Sequence, residues 1–365
     1  MDLFTALLPS PIPAAAPSTP NRPISTVTPQ PRLGLPAPRQ SPWQRVGRTL
    51  SAEGAIDPAV AMRQAGLDWT VRRVDLRTAD TLETVPDFAA IRREDTGRVL
   101  GVVGPDYEPF QNAGMFQVFS DLAQVGRDDG GMPFTIETAG AFNHGKVVWA
   151  LAHLPDLAIR IGDDEAKTYL LVSNGHTGNR TLIIAPTTIR VVCRNTLAMA
   201  ESQARTNRSR PGLAGGFTLK HTPGIHEAVN QAKDAFATVI RDHAVTKAAW
   251  NRLADIPLTR KLEQTFLAQV FGTPGPDESD RARALRKTRE DRLAAILASP
   301  TSQVRGTKDS LFSVLQAVVE FVDYDRTTRT SEDGDADEAR LISATFGSGA
   351  ATKARAWAAA MEMAA

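Results

Sequence analysis

Apolar residues change their period partway along the chain, and that change limits the possible folds more than any single motif does. Between residues 68 and 192 they fall in short alternating or β-branched runs, at 69–72, 74–76, 89–92, 98–103, 134–138, 146–153, 168–172, 181–184 and 187–192. Runs of this kind build strands, because successive side chains of an extended backbone face opposite ways and branched side chains suit a pleated surface. From residue 224 onward the spacing is helical, with Ile225, Val229, Ala232, Phe236, Val239 and Ile240 on one stripe. Further helices are expected at 259–271, 280–298, 308–323, 337–345 and 350–363, and two earlier ones at 57–66 and 111–125. Strands first and helices later predict an α+β fold: a mixed or antiparallel sheet body with a largely helical C-terminal part.

Punctuation residues divide the chain further. Residues 1–42 hold 11 of the 24 prolines. Proline fixes φ and removes a backbone donor, so neither helix nor sheet propagates through such a stretch. Residues 1–41 are therefore expected to be a disordered Pro-rich tail, serving as a tether or as a docking strip for a protein partner. Order is expected to start at Pro42-Trp43, with an α+β body over 42–205, a basic flexible loop over 206–220 and the helical part over 221–365.

Composition excludes several classes. The 365 residues include one cysteine, Cys193, so there is no intrachain disulfide, thiolate zinc site or iron–sulfur cluster. Six scattered histidines offer no metal-binding spacing, and no cofactor motif is present. No apolar run approaches the ~20 residues needed to span a bilayer. The N-terminus lacks the basic start of a secretory leader. A cytoplasmic protein with no membrane contact is expected. The net charge of +1 is no global nucleic-acid signature, so any basic surface must be local.

Four blocks of sequence carry a family resemblance. The first is Pro42-Trp43 with Gly47, followed by Ala65-Gly66-Leu67-Asp68-Trp69. The second runs Leu100-Gly101-Val102-Val103-Gly104-Pro105-Asp106-Tyr107-Glu108-Pro109-Phe110-Gln111-Asn112. The third is Ser173-Asn174-Gly175-His176-Thr177-Gly178-Asn179-Arg180, continuing to Thr188-Ile189-Arg190-Val191-Val192-Cys193-Arg194-Asn195-Thr196-Leu197. The fourth joins Gly306-Thr307, Ala317-Val318-Val319-Glu320-Phe321-Val322-Asp323 and Phe346-Gly347-Ser348-Gly349-Ala350. Together they resemble the phage/plasmid-like family known as domain of unknown function 932, over about residues 42–360. The resemblance implies work for a mobile element, in replication, recombination or host takeover, and assigns no catalytic residue. Two features depart from the family pattern: the turn reads Ser-Asn-Gly-His-Thr rather than Ser-His-Asp-Gly-Ser, and Lys308-Asp309 replace an aromatic after Gly306-Thr307.

Candidate sites follow from the residues themselves. The two-proline turn at 104–110 carries Tyr107 and Phe110, which either stack on unpaired bases or fill the gap between a strand and a helix. Residues 190–220 gather Arg190, Arg194, Arg205, Arg208, Arg210 and Lys220 against Glu201 alone, as a phosphate-binding arm or a solvated loop. Residues 173–180 place Ser173, Asn174, Gly175, His176, Asn179 and Arg180 between two strands, as an anion-binding nest or a plain hairpin turn. The segment lacks Gly-Lys-Ser/Thr and is no P-loop. Cys193 ends an apolar run and is read as a small buried hydrophobe rather than a nucleophile paired with His176. The helix over 280–298 bears Arg281, Arg283, Arg286, Lys287, Arg289 and Arg292, as a solvated face or a second DNA contact. The acidic run 332–338 reads as an exposed loop whose spacing fits no EF-hand.

The leading expectation is a non-catalytic protein that binds single-stranded DNA, accessory to replication or recombination, with homo-oligomerisation adding avidity. The alternatives are an interaction protein for a host factor and, third, an enzyme of nucleotide or phosphate chemistry at residues 173–180.

Overall fold

The computed structural model describes residues 40–128, 134–191, 196–197, 216–241, 243–273, 275, 277–329 and 335–365. Residues 1–39 of the expected tail, Cys193, and Arg194, Arg205, Arg208 and Arg210 lie outside the described residues. The described residues, from 40 onward, fall in one compact unit.

Chain order is as follows. Three short helices, α1 (Pro42–Val46), α2 (Ala52–Ile56) and α3 (Pro58–Gln64), flank the two-residue strand β1 (Arg48–Thr49). Strands β2 (Val71–Arg77), β3 (Thr84–Arg93) and β4 (Val99–Val103) precede helix α4 (Asn112–Asp128). Then come β5 (Thr135–Phe142), β6 (Val147–Ile161), β7 (Asp164–Gly175), β8 (Leu182–Arg190), β9 (Thr196–Leu197) and β10 (Phe217–Leu219). The helical part comprises α5 (Ile225–Arg241), α6 (His243–Asp255), α7 (Arg260–Phe271), α8 (Asp280–Leu297), α9 (Leu311–Glu320), α10 (Ala336–Phe346) and α11 (Ser348–Met363). The α+β class holds, and every strand pairing among the described residues is antiparallel.

One seven-stranded sheet in the order β1-β5-β6-β7-β8-β10, with β9 also on β8, forms the centre, and β2-β3-β4 form a second sheet. Alternation along β6 and β7 sends apolar side chains into two cores. Val148, Ala150, Leu170 and Val172 meet α3, α4, α5 and the small sheet on one face. Val147, Trp149, Leu151, Tyr169 and Leu171 meet α1 and α10 on the other. The β6–β7 hairpin is longer than its apolar runs suggest. Its register shifts between Leu154 and Ile159, and beyond that bulge Ile159, Ile161 and Ala166 enter a third core built by α6, α7, α8, α9 and α11. The hairpin tip thus plugs the helical part onto the sheet.

Contacts at that tip are close. Gly162 has φ 57° and Gly306 φ 100°, and a Cβ on Gly162 would lie 2.5 Å from the Arg305 carbonyl oxygen. Only glycine combines a left-handed backbone with so near an approach.

Several boundaries differ from expectation. Ser41, assigned to the tail, is buried and caps α1 in a capping box with Gln44. Runs 181–184 and 187–192 are not two strands: β8 continues through Pro186. Proline is tolerated there because β10 pairs residues 182–184 and β9 pairs 188–189, so among the described residues none pairs with Pro186 on that edge. The helical stretch that opens near residue 224 divides into α5 and α6. The acidic run is also more ordered than a loop: Asp335 caps α10 by accepting from the Asp337 and Glu338 amides. Residues 332–334 of that run lie outside the described residues.

The two sheets touch where β4 meets the β7–β8 connection. A Cβ on Gly101 would lie 2.7 Å from the Thr177 Cα, which is backbone and unable to swing away. Gly101→Ala is expected to destabilise the protein by about 1–3 kcal/mol, the usual cost of overpacking, as read from the urea unfolding midpoint. An unchanged midpoint would show that this sheet–sheet contact is loose.

Candidate ligand site at the β7–β8 turn

Strand β7 extends to Gly175, so Ser173, Asn174 and Gly175 are strand residues and the turn is confined to 176–181. Strand alternation then divides the segment into two sets with different surroundings.

The first set turns inward. Asn174 is fully buried; its Nδ2 donates to the Phe110 carbonyl at 2.7 Å, and its Oδ1 lies 2.7 Å from His221 Nε2. His176, also fully buried, places Nε2 3.0 Å from Asn112 Oδ1. Asn112 Nδ2 in turn donates to the Leu67 and Trp69 carbonyls. Since both amide nitrogens are committed to carbonyls, both amide oxygens accept, and each imidazole holds its proton on Nε2. The Tyr107 hydroxyl donates to the Gly175 carbonyl at 3.0 Å, its ring stacks on His221 at 5.1 Å, and the Glu108 amide donates to the His221 carbonyl. Residues from the first three sequence blocks, with His221, therefore form one buried polar network.

Burial sets the protonation of that network. Desolvation drives His176 down from its ordinary value to about 3, with the nearby His221 and Arg93 adding to the shift. His176 Nδ1, moreover, has no hydrogen-bond partner among the described residues, so a second ring proton would find no acceptor there. Desolvation lowers His221 to about 4, a shift the Arg180 backbone partly opposes. Burial also pushes the Tyr107 hydroxyl above the usual phenol range.

The second set faces a cavity of about 340 Å³ lined by Val147, Ser173, Gly175, Asn179, Arg180, Thr181, Ile183 and Phe346. Hydroxyls, an amide and a guanidinium supply the polar lining, with no carboxylate among the described residues that form it. The Arg180 guanidinium lies over the Phe346 ring at 5.3 Å, which orients its planar fork. Of the residues expected at the turn, Ser173, Gly175, Asn179 and Arg180 converge on the cavity, whereas Asn174 and His176 point into the other face. Thr181 and Phe346 join the lining without a local sequence signal, since Phe346 arrives from α10.

Other expected contacts are corrected by burial. Tyr107 and Phe110 are enclosed in the first core, so neither ring offers a face to a base. Arg190 is 2% exposed and grips Asp164 with both Nε and Nη2, while Nη2 also donates to the Thr301 carbonyl at 3.0 Å. Because Ala166 is its register partner, Asp164 stands two residues along on the same face, and a guanidinium so enclosed reaches no phosphate. Lys220 is exposed just beyond β10. The charged run on α8 is no open basic stripe. Arg283, Arg286, Lys287 and Arg292 each face a carboxylate, and Arg289 lies over the Phe271 ring at 4.3 Å. Among the described residues no group of three or more His, Cys, Asp or Glu is placed to hold a metal ion, and no helix is long and apolar enough to cross a membrane.

The two buried histidines generate a pH dependence whose sign is fixed. Their folded values lie below the ordinary unfolded value near 6.5, so their contribution to stability is present above that pH and is lost as pH falls toward 4 and 3. Between pH 6.5 and 5, unfolding free energy is expected to drop by up to about 1.4 kcal/mol per pH unit for each histidine. Urea titrations at spaced pH values measure the slope. His221→Gln, whose amide still donates to Asn174, is expected to lower the slope by one proton's worth.

In comparison with known proteins, residues 99–344 match the model of the family described as Domain of unknown function (DUF932). No curated protein and no solved structure matches the chain.

Proposed function

The chain belongs to the DUF932 family, and from its own geometry we propose that it is a non-catalytic binding protein for single-stranded DNA, of the kind a phage or plasmid-like element uses in replication or recombination. One observation carries this reading: the carboxylate-free cavity where Arg180, Asn179, Thr181 and Ser173 converge. A guanidinium held over an aromatic ring presents a fork of donors that matches phosphate oxygens. Flanking hydroxyl and amide groups add neutral hydrogen bonds, and no carboxylate stands among the described lining residues.

The position of the basic sequence agrees. Its anchors are both on β8: Leu197 pairs with Thr188, and Phe217 pairs with Ile184. Arg205, Arg208 and Arg210 fall in sequence between these two anchors and lie outside the described residues. Neutral imidazoles committed to structural bonds also favour binding over acid–base catalysis. His176 lies on the face opposite Ser173, so the two make no nucleophile–base pair.

Salt-dependent binding of an unstructured oligodeoxythymidylate tests the proposal. Each phosphate neutralised on a single strand contributes ~0.7 to the slope of log K against log[salt]. Arg180→Ala is expected to weaken binding and to reduce the slope by about 0.7, whereas Arg180→Lys keeps the slope and loses affinity through the missing fork. Replacing Arg205, Arg208 and Arg210 together by Ala is expected to reduce it by roughly two units. Absence of oligonucleotide binding by the unaltered protein at low salt would sink the reading.

A further inference from the structure

We infer that the outer face of the β2-β3-β4 sheet is the surface on which unpaired bases lie, a role that the buried Tyr107 and Phe110 cannot fill. This inference rests on the single-stranded DNA reading above and concerns residues that the sequence patterns did not single out.

The inner face of this sheet is committed. Val71, Ala89, Ile91, Leu100 and Val103 enter the first core, and Arg93 lies over the Trp69 ring at 4.1 Å while donating to the His144 carbonyl. Alternation places Arg72, Val74, Ala90, Arg92, Val99 and Val102 on the opposite face, where Ala90 is itself covered, at 2% exposed. Register pairs Arg72 with Arg92, Val74 with Ala90, Ala90 with Val102 and Arg92 with Val99. Phe88, two residues before Ala90, shares that face. The consequence is unusual for a surface that meets only water: Phe88, Val99 and Val102 are 54%, 52% and 52% exposed, side by side on one small sheet.

Charge identifies the occupant. Arg72 and Arg92 are directly opposed across two strands, an arrangement of like charges that destabilises a sheet. Glu94 offsets one of them, with its carboxylate 3.3 Å from Arg72 Nε, but Arg92 has no ion-pair partner among the described residues. An apolar aromatic surface beside two opposed guanidinium groups, only one of which meets a carboxylate, fits a ligand that offers flat apolar faces and negative charge together. A single strand of nucleic acid does so, its bases stacking on Phe88 and sliding over Val99 and Val102 while its phosphates meet Arg92 and Arg72. A purely apolar protein segment would bury those charges uncompensated.

The face is also connected to the cavity. Val103 on β4 approaches the cavity turn so closely that a Cβ on Gly178 would lie 2.8 Å from it, and Gly101 abuts Thr177. The stacking surface and the Arg180 cavity thus belong to adjoining, directly packed elements.

Binding of an oligodeoxythymidylate and of a matched duplex, measured across salt concentrations, separates the possibilities. Phe88→Ala is expected to weaken single-strand binding roughly ten-fold or more with an unchanged salt slope, because stacking releases no counterions, and to leave duplex binding as it was. Arg92→Ala is expected to reduce the slope by ~0.7. Both positions are exposed, so native circular dichroism is expected in each variant. If the unaltered protein binds single strands and Arg180→Ala impairs it while Phe88→Ala does not, the stacking face is refuted and the cavity reading stands. If the unaltered protein binds no DNA, both fall. If Phe88→Ala instead converts a dimer to a monomer by light scattering without changing DNA affinity, the face is a contact with a second copy and the inference is overturned.

Discussion

Asn174 sits where three separate stretches of chain must meet. Its amide donates to the Phe110 carbonyl and accepts from His221, so one side chain ties the two-proline turn, strand β7 and the start of the helical part together. Fully buried, it has no water to replace a lost partner, and each unsatisfied group would cost ~1–3 kcal/mol. The neighbouring bonds share its geometry: Tyr107 is placed by the Gly175 carbonyl, His176 by Asn112, and Asn112 by the Leu67 and Trp69 carbonyls. A hydrophobic core of this size tolerates many packings. A satisfied polar network admits few, because its donors and acceptors must all align at once.

A second buried polar feature holds the other end of the β6–β7 hairpin. Asp164 accepts from Arg190 and from the Thr307 hydroxyl; Arg190 reaches the Thr301 carbonyl; the Thr301 hydroxyl donates to Glu320 on α9. Taking such a pair out of water costs much of what its attraction returns. Its effect is to define position. The sheet, the 301–307 loop and α9 fit in one arrangement only, with Gly162 against Gly306 as the steric counterpart. Glycines and polar residues from the third and fourth sequence blocks are thereby accounted for as fold determinants.

Period and punctuation alone make most elements legible, because burial on one face imposes alternation on strands and a stripe on helices. The α4, α7, α8 and α10 boundaries fall within a few residues of their patterns. Legibility fails where the deciding contact is distant in sequence. Pro186 signals a break, yet the break belongs to the neighbouring strands and not to β8. Arg190 reads as one of six cations in a basic stretch. Only the register with Ala166 reveals that Asp164 faces it. The charges of α8 look like an open basic face until Glu278 and Asp325 supply partners from outside the helix. At the cavity, residues 173–180 announce a polar turn, but alternation assigns half of them to the core, and Phe346 arrives from α10 at the far end of the chain.

That division of one short segment between two faces links the buried network to the cavity. Gly175 is the hinge of the division: its carbonyl is held by Tyr107 from the core side, and the same residue lines the cavity on the other side. The wall beside Arg180 is therefore positioned by the buried network ahead of any ligand. A site assembled in advance loses less conformational entropy on binding than one ordered by its ligand, so modest contacts from Asn179, Thr181 and Ser173 retain more of their free energy. The same coupling means that a change to Asn174 or His221, neither of which touches the cavity, alters the cavity through Gly175. Core residues and cavity-lining residues in this hairpin are neighbours in sequence, opposite in direction, and joined by one backbone.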